Sequence, residues 1–330
     1  MKRLILTSSS GLGLMRGDLA EVAVAFISRF VWGPLPSPDE LATYVGARTD
    51  KTAPGAHWSD FVSWRSKSDK ACKHLALVDF CEPYDLIELW FDPEPNDQLL
   101  LVQMLDCLSF HPQIVARLKL RLVDFKLISL PMTGLGKWQV PTADVTADEF
   151  GTARETWRAY QAATPQACFD LLGRDLSALP LLRPALLDLL DELPSSATGL
   201  GATEMRLLEL IARGYAGTNG LFHLSELRQR RVFNAREIGL LLEGLAHGPR
   251  PAVAGLDDEL RILDKENYRD RDAAYKRSRL TLTEFGKSVL AREEDFSRHN
   301  PIDRWWGGTR LISDCLWRWD PVLTAPAKRG

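Results

Sequence analysis

Hydrophobic positions along the chain follow two rhythms. Short continuous apolar runs alternate with helically spaced stripes in the first 140 residues or so, and helical spacing dominates afterwards. Arg3–Ser8 (RLILTS) predicts a first strand, and residues 15–25 predict a helix. Residues 27–32 predict a second strand, closed by Gly33-Pro34. Ser37-Pro38-Asp39-Glu40 is a helix start, with Ser as cap, Pro in the first turn and acids beside the positive helix end. Residues 57–77 carry helical spacing. Leu86–Phe91 (LIELWF) is the clearest strand; a helix with Leu100, Leu101, Met104, Leu105 and Leu108 on one stripe follows at 97–108. A further strand is expected at 121–129, and residues 131–136 read as an irregular connection.

Strands alternating with helices imply a mostly parallel sheet covered on both faces. The expected fold class is therefore α/β: a Rossmann-like sheet domain over residues 1–141, a helical connector over 142–195, and a winged-helix-like α+β domain over 196–330. Thr146-Ala147-Asp148-Glu149 is a capping box opening a helix to about residue 163, Thr164-Pro165 opens the next, and 181–193 forms a third. Helices are expected at 203–213, 224–231 and, from the capping-box-like Asn234-Ala235-Arg236-Glu237, up to Gly248. Short strands at 251–254 and 277–283 and a helix at 283–291 complete the winged-helix order.

ELWFDPEPNDQL (88–99), IDRWWGGTRL (302–311) and WRWD (317–320), with the α/β start and the winged-helix-like run RSRLTLTEFGKSVL, carry a resemblance. Together they resemble the bacterial domain-of-unknown-function 1835 family with its usual C-terminal companion domain, over nearly the whole chain. The resemblance implies an architecture and no known chemistry. Relatives commonly carry Gly-Asp after the first strand, where this chain has Ser9-Ser10; they often place acids before the Gly-Pro turn, where this chain has SRFVW.

Composition narrows the classes. In 330 residues, 45% hydrophobic and 26% charged is globular, and a net charge of −3 supplies no global field for nucleic acid or anionic membrane. The apolar run near the N-terminus is too short for a signal peptide core, and no stretch approaches the roughly 20 apolar residues that cross a bilayer. Cys72, Cys81, Cys107, Cys168 and Cys315 lack any CxxC pair, which predicts reduced thiols in a cytoplasmic protein.

Four constellations could carry chemistry. Ser8, Ser9, Ser10, Gly11 and Gly13, with Arg16, form a small-residue turn between strand and helix; such a turn can point N–H groups at a small anionic ligand, or simply pack tightly. Asp92, Glu94, Asp97 and Gln98 follow the carboxyl end of the clearest strand; the acids could hold Mg²⁺ or a ligand, or Asp97 or Asn96 could cap the next helix with Asp92 and Glu94 beside its positive end. Arg228, Arg230, Arg231, Arg236, Lys276, Arg277 and Arg279 surround the expected recognition helix and wing and suit phosphate contacts. That helix, however, offers few side chains of the kind that read base edges. Trp305, Trp306, Trp317 and Trp319 crowd the C-terminus, where they can close an interface or grip a partner. No metal motif such as HExxH is present, and the cofactor stays unknown. The expected protein is a cytoplasmic regulator or adaptor, with a small anionic ligand on the α/β domain and DNA or protein on the winged helix. A metal-assisted enzyme acting on a nucleotide or phosphoester, a structural interaction protein and a homodimer stay open.

Overall fold

The computed structural model describes residues 1–330 except 17–18, 64–72, 128–139, 224–230, 265–266, 321–324 and 329–330. It divides into two compact units. One comprises Met1–Phe30, Pro34–Gln161 and Asp170–Ala185; the other comprises Val31–Gly33, Ala162–Phe169 and Leu186–Gly330. Residues 142–195 are thus shared between them.

The first unit is built on a six-stranded sheet. Its strands are β1 (Arg3–Ser8), β2 (Val22–Phe26), β3 (Val62–Ser63), β4 (Leu86–Phe91), β5 (Leu118–Leu122) and β6 (Thr142–Asp144), in the order β3-β2-β1-β4-β5-β6. The four central strands are parallel, and both edge strands are antiparallel to their neighbours. Burial is continuous in three of the central strands, with all five residues of β2 and five of six in β1 and in β4 buried, whereas Lys119, Arg121 and Leu122 of β5 are half-buried. Parallel strands buried on both faces favour apolar runs over alternation, and the buried polar residues of β1 and β4, Thr7, Ser8 and Glu88, are each hydrogen-bonded.

The helices of this unit are α1 (Pro38–Val45), α2 (Leu77–Cys81), α3 (Pro95–Leu108), α4 (Pro112–Val115) and α5 (Ala147–Tyr160). The Ser37/Glu40 and Thr146/Glu149 capping boxes both form. Helices α3 and α5 pack together, and the Trp157 ring lies 4.9 Å from that of Phe30. Two further helices, α6 (Gln166–Leu171) and α7 (Leu182–Leu190), each run across the division between units.

Four expectations in this unit are corrected. Residues 15–25 are not one helix: Ser9–Arg16 is a 3₁₀ helix, and β2 takes the place of the strand expected at 27–32. A short apolar run such as VAVAF has the same pattern in a buried strand and a buried helix, and only pairing with β1 decides. The helix expected at 57–77 is, in its described part, a 3₁₀ turn at Trp58–Phe61, then β3, and α2 only from Leu77. Tertiary anchors override the helical spacing there: Trp58 Nε1 donates to the Leu75 carbonyl at 3.0 Å, and β3 pairs with β2. The strand expected at 121–129 is β5, which starts earlier and ends at Leu122; the connection at 131–136 lies outside the described residues.

The second unit contains α8 (Ala202–Ala212), α9 (Thr218–His223), α10 (Ala235–His247), β7 (Val253–Ala254), α11 (Tyr268–Arg277), β8 (Thr281–Leu282) and α12 (Glu284–Leu290). Leu207, Leu208, Ile211, Leu221, Ile238, Leu242, Leu245, Val253, Leu280, Phe285 and Val289 form one core. Strands β7 and β8 pair antiparallel, and α12 approaches so closely that a Cβ on Gly286 would fall 2.0 Å from the Ala252 carbonyl oxygen. The helix expected at 224–231 falls almost wholly outside the described residues. The strand expected from 277 is confined to Thr281–Leu282, because 268–277 is the helix α11, which sequence reading missed. Two hairpins close the chain: β9 (Asp303–Trp306) with β10 (Thr309–Ile312), and β11 (Trp317–Asp320) with β12 (Ala325–Lys328). Among the described residues, no helix is long and apolar enough to cross a membrane.

Candidate functional site

In the parallel core the order β2-β1-β4-β5 reverses direction between β1 and β4. Open α/β sheets place ligands outside the carboxyl ends of the strands at such a reversal. Ser8 ends β1 and Asp92 follows β4, so two of the sequence-derived candidates meet there.

Residues 92–98 (DPEPNDQ) form a hub. The Asp92 carboxylate accepts from the Glu94 N–H at 3.0 Å and from the Leu127 N–H, beyond β5, at 3.3 Å. Asn96 accepts from the Phe30 N–H at 2.9 Å and donates to the Ser28 carbonyl at 3.1 Å, beyond β2. Asp97 accepts from the Ser8 hydroxyl, and Gln98 Nε2 donates to the Asp92 carbonyl at 2.7 Å. One turn after β4 therefore ties down the segments that follow β1, β2 and β5. Asp92, Asn96, Asp97 and Gln98 are all buried.

A side-chain cap by Asn96 or Asp97 does not form, although Asp97 lies in the first turn of α3, beside its positive end. The residue at the cap of α3 is Glu94, which makes no side-chain cap bond and instead pairs with Lys126 at 3.0 Å. The three-carboxylate metal arrangement does not form either: among the described residues, no group of three or more His, Cys, Asp or Glu is placed to hold an ion. Burial, and then the nearby charge of Asp92, hold the Asp97 carboxyl well above the usual carboxylate range, against the lowering effect of the Ser8 hydrogen bond. Its protonated form can donate a hydrogen bond, which an ordinary surface aspartate at neutral pH does not.

The small-residue turn works differently from the anion cradle that its glycines suggested. The Ser10 N–H donates to Ser8 Oγ at 3.1 Å rather than pointing outward. Gly11 is needed for close packing, since a Cβ there would lie 1.9 Å from Thr7 Oγ1. Ser9 is exposed, Gly13 faces open space, and the Arg16 side chain lies outside the described set. A cavity of about 310 Å³ adjoins the hub through Gln98 and is otherwise lined largely by Phe91, Leu101, Leu120, Leu122 and Leu181, with Arg121 and Asp124 among its polar members.

Asn96 was not anticipated as a site residue, because its partners lie 66 and 68 positions away. Asn96→Ala is expected to lower stability by roughly 2 kcal/mol, since it strands the buried Phe30 N–H and its partner carbonyl. Chemical denaturation of the variant checks this; a loss under about 0.5 kcal/mol would show that the loop does not depend on it.

The basic set of the second unit is largely spent on internal partners. Lys276 pairs with Asp272 at 2.6 Å, and Arg277 pairs with Asp257 at 2.7 Å and also with Glu259. Arg279 donates to the carbonyls of Lys276 and Ser278 at 3.1 and 2.8 Å, and Arg231 donates to the Phe222 carbonyl. Arg236 is exposed, whereas Arg228 and Arg230 lie outside the described residues. On α10, the expected recognition helix, only Arg236 and Gly244 are exposed. Gly239 leaves room for the Tyr275 hydroxyl, which together with Arg271 bonds Glu243 and joins α11 to α10. Arg236, Leu240, Glu243, Gly244 and His247, spaced three or four residues apart, form a face of this helix that is not buried. Nucleophilic thiols are not offered by Cys81 or Cys107, whose pKa values burial pushes up to about 12 and 11.

The fold and site define an α/β protein with a mostly parallel sheet and a polar hub at its strand-order reversal. Compared with models of known families and with curated proteins, the chain matches none.

Proposed function

We propose that the chain is a regulatory or adaptor protein of the bacterial domain-of-unknown-function 1835 type. In this reading the Rossmann-like first unit takes a small molecule in the cavity beside Gln98, and the second unit, a winged-helix-like module with α11 inserted between its wing strands, contacts a protein. The observation that carries the reading is the buried Ser8–Asp97–Asp92 group at the strand-order reversal, which the cavity adjoins. An occupant touching Gln98 would act on the Asp92 carbonyl and so on the loops that the hub holds. The apolar lining and the neighbouring carboxyls favour a ligand with an apolar body and a hydrogen-bonding end over a bare phosphate. The competing reading, a metal-assisted phosphoester enzyme, would need Glu94, which Lys126 already engages.

A thermal-shift screen tests this with nucleosides, nucleotides, inorganic phosphate, uncharged aromatic compounds, Mg²⁺ and Mn²⁺. The expected result is stabilisation by at least one organic compound, lost in Leu122→Trp, which fills the cavity. A screen without organic hits, or a hit of undiminished size in Leu122→Trp, would sink the proposed site. Stabilisation by a divalent metal that Asp92→Asn removes would favour the enzyme.

A further inference from the structure

The tryptophans near the C-terminus take part in a second cavity, of about 230 Å³, wholly within the second unit. Its aromatic walls come from stretches far apart in the chain: Trp32, Phe233, and Trp305 and Trp306 of β9. The planes of Trp32 and Phe233 stand at 88° with centroids 5.6 Å apart, which makes an aromatic corner. Trp306 is buried, and its Nε1 donates to the Leu189 carbonyl at 2.6 Å. Trp305 is 36% exposed, a large ring left partly open to solvent.

The charged side chains of the lining are Glu192, Asp303 and Arg304, and each is already engaged. Glu192 accepts from the N–H and the hydroxyl of Thr203. Asp303 is held by both branches of Arg310 at 2.9 and 2.8 Å. Arg304 pairs with Glu204 at 3.0 Å. A charged guest would therefore leave water with no group set aside to pair with it, which is costly, whereas an uncharged guest carries no such penalty. What the cavity offers is aromatic and aliphatic surface. An apolar cavity of about 150 Å³ takes up benzene, so the larger space here has room for a fused pair of rings such as indole. Aromatic rings prefer offset-stacked or edge-to-face neighbours. A guest ring parallel to one member of the perpendicular Trp32–Phe233 pair stands edge-on to the other, so a flat aromatic guest meets both preferences at once.

We propose that this cavity binds a small, uncharged aromatic molecule of one or two rings. The site is distinct from the cavity beside Gln98, since all its residues belong to the other unit.

Calorimetric titration of the full chain with indole, phenol and cyclohexanol tests it. Saturable binding of indole is expected. Titration in Leu122→Trp, which fills the cavity beside Gln98, and the screen of that cavity repeated in Trp305→Ala keep the two sites apart; indole binding should survive in Leu122→Trp. Phenol should bind at least threefold more tightly than cyclohexanol, its saturated counterpart. Tryptamine and indole-3-acetate carry opposite charges on the same rings and should bind no more tightly than indole. Trp305→Ala should weaken indole binding at least tenfold, and Trp305→Phe should keep most of it; Trp32→Ala gives a second reading should the hairpin be disturbed. Absence of saturable binding, its loss in Leu122→Trp, equal affinity for phenol and cyclohexanol, a charged analogue preferred to indole, or unchanged affinity in both alanine variants would overturn the proposal.

Discussion

Asp97→Asn is expected to flatten the pH dependence of stability in the first unit and to make the protein more stable than its parent at alkaline pH. In the folded chain burial and Asp92 hold the Asp97 carboxyl well above its ordinary value of 3.8. The native state therefore keeps a proton that the unfolded chain has released. Stability from this group is full below the ordinary carboxyl range and is lost as pH rises through the folded value, with a slope of at most about 1.4 kcal/mol per pH unit. Asparagine keeps an amide to meet the Ser8 hydroxyl and carries no titrating proton. Urea unfolding from pH 5 to 9 measures it. Parallel profiles for parent and variant would mean that Asp97 ionises in the folded state as it does in water.

Glu88→Leu carries the second large effect. Glu88 is 1% exposed in the middle of β4. It accepts from Arg3 Nη2 at 3.1 Å and from Arg121 Nε at 2.8 Å, while Trp90 Nε1 donates to it at 3.3 Å. Removing one partner of a buried ion pair costs about 3–5 kcal/mol. Arg3 and Arg121 keep some solvent, with 30% and 16% of their side chains exposed, so roughly 3 kcal/mol is expected. Chemical denaturation gives the value. Adding Arg121→Leu should restore part of the loss, because one stranded cation goes with it; a double variant less stable than additivity predicts would contradict this account.

Features fixed by near neighbours in the chain were legible. Ser37, Thr146 and Asn234 cap their helices as their spacing to Glu40, Glu149 and Glu237 required, and Thr283 caps α12. These contacts span three or four residues, so a short window contains the whole cause. The strands Arg3–Ser8 and Leu86–Phe91 were legible from their apolar runs between turn residues. Strand β2 was not, since its identity depends on pairing with β1 rather than on any local period.

The candidate site shows the same division. Ser8, Asp92, Asp97 and Gln98 could be picked out because strand ends at the carboxyl edge of a sheet are where polar residues gather. Their roles could not. The spacing of the acids fits a helix cap, a metal site and a hub equally well, and the decision rests on Phe30, Leu127 and Ser8, each at least 35 positions from its partner. The partners of the basic residues of the second unit were illegible for a related reason. Lys276 and Arg277 look like an open cationic edge until their acidic partners are placed, and those of Arg277 come from residues 257 and 259.

By itself the sequence determined the α/β class, the helix caps and the strand that carries DPEPNDQ, because propensity, capping and apolar runs act over a few residues. Tertiary structure alone decided what DPEPNDQ does. Whether a buried carboxyl is ionised, and which loops it holds, depends on burial and on hydrogen bonds to groups brought in by other strands, and the chain specifies neither until the sheet has formed.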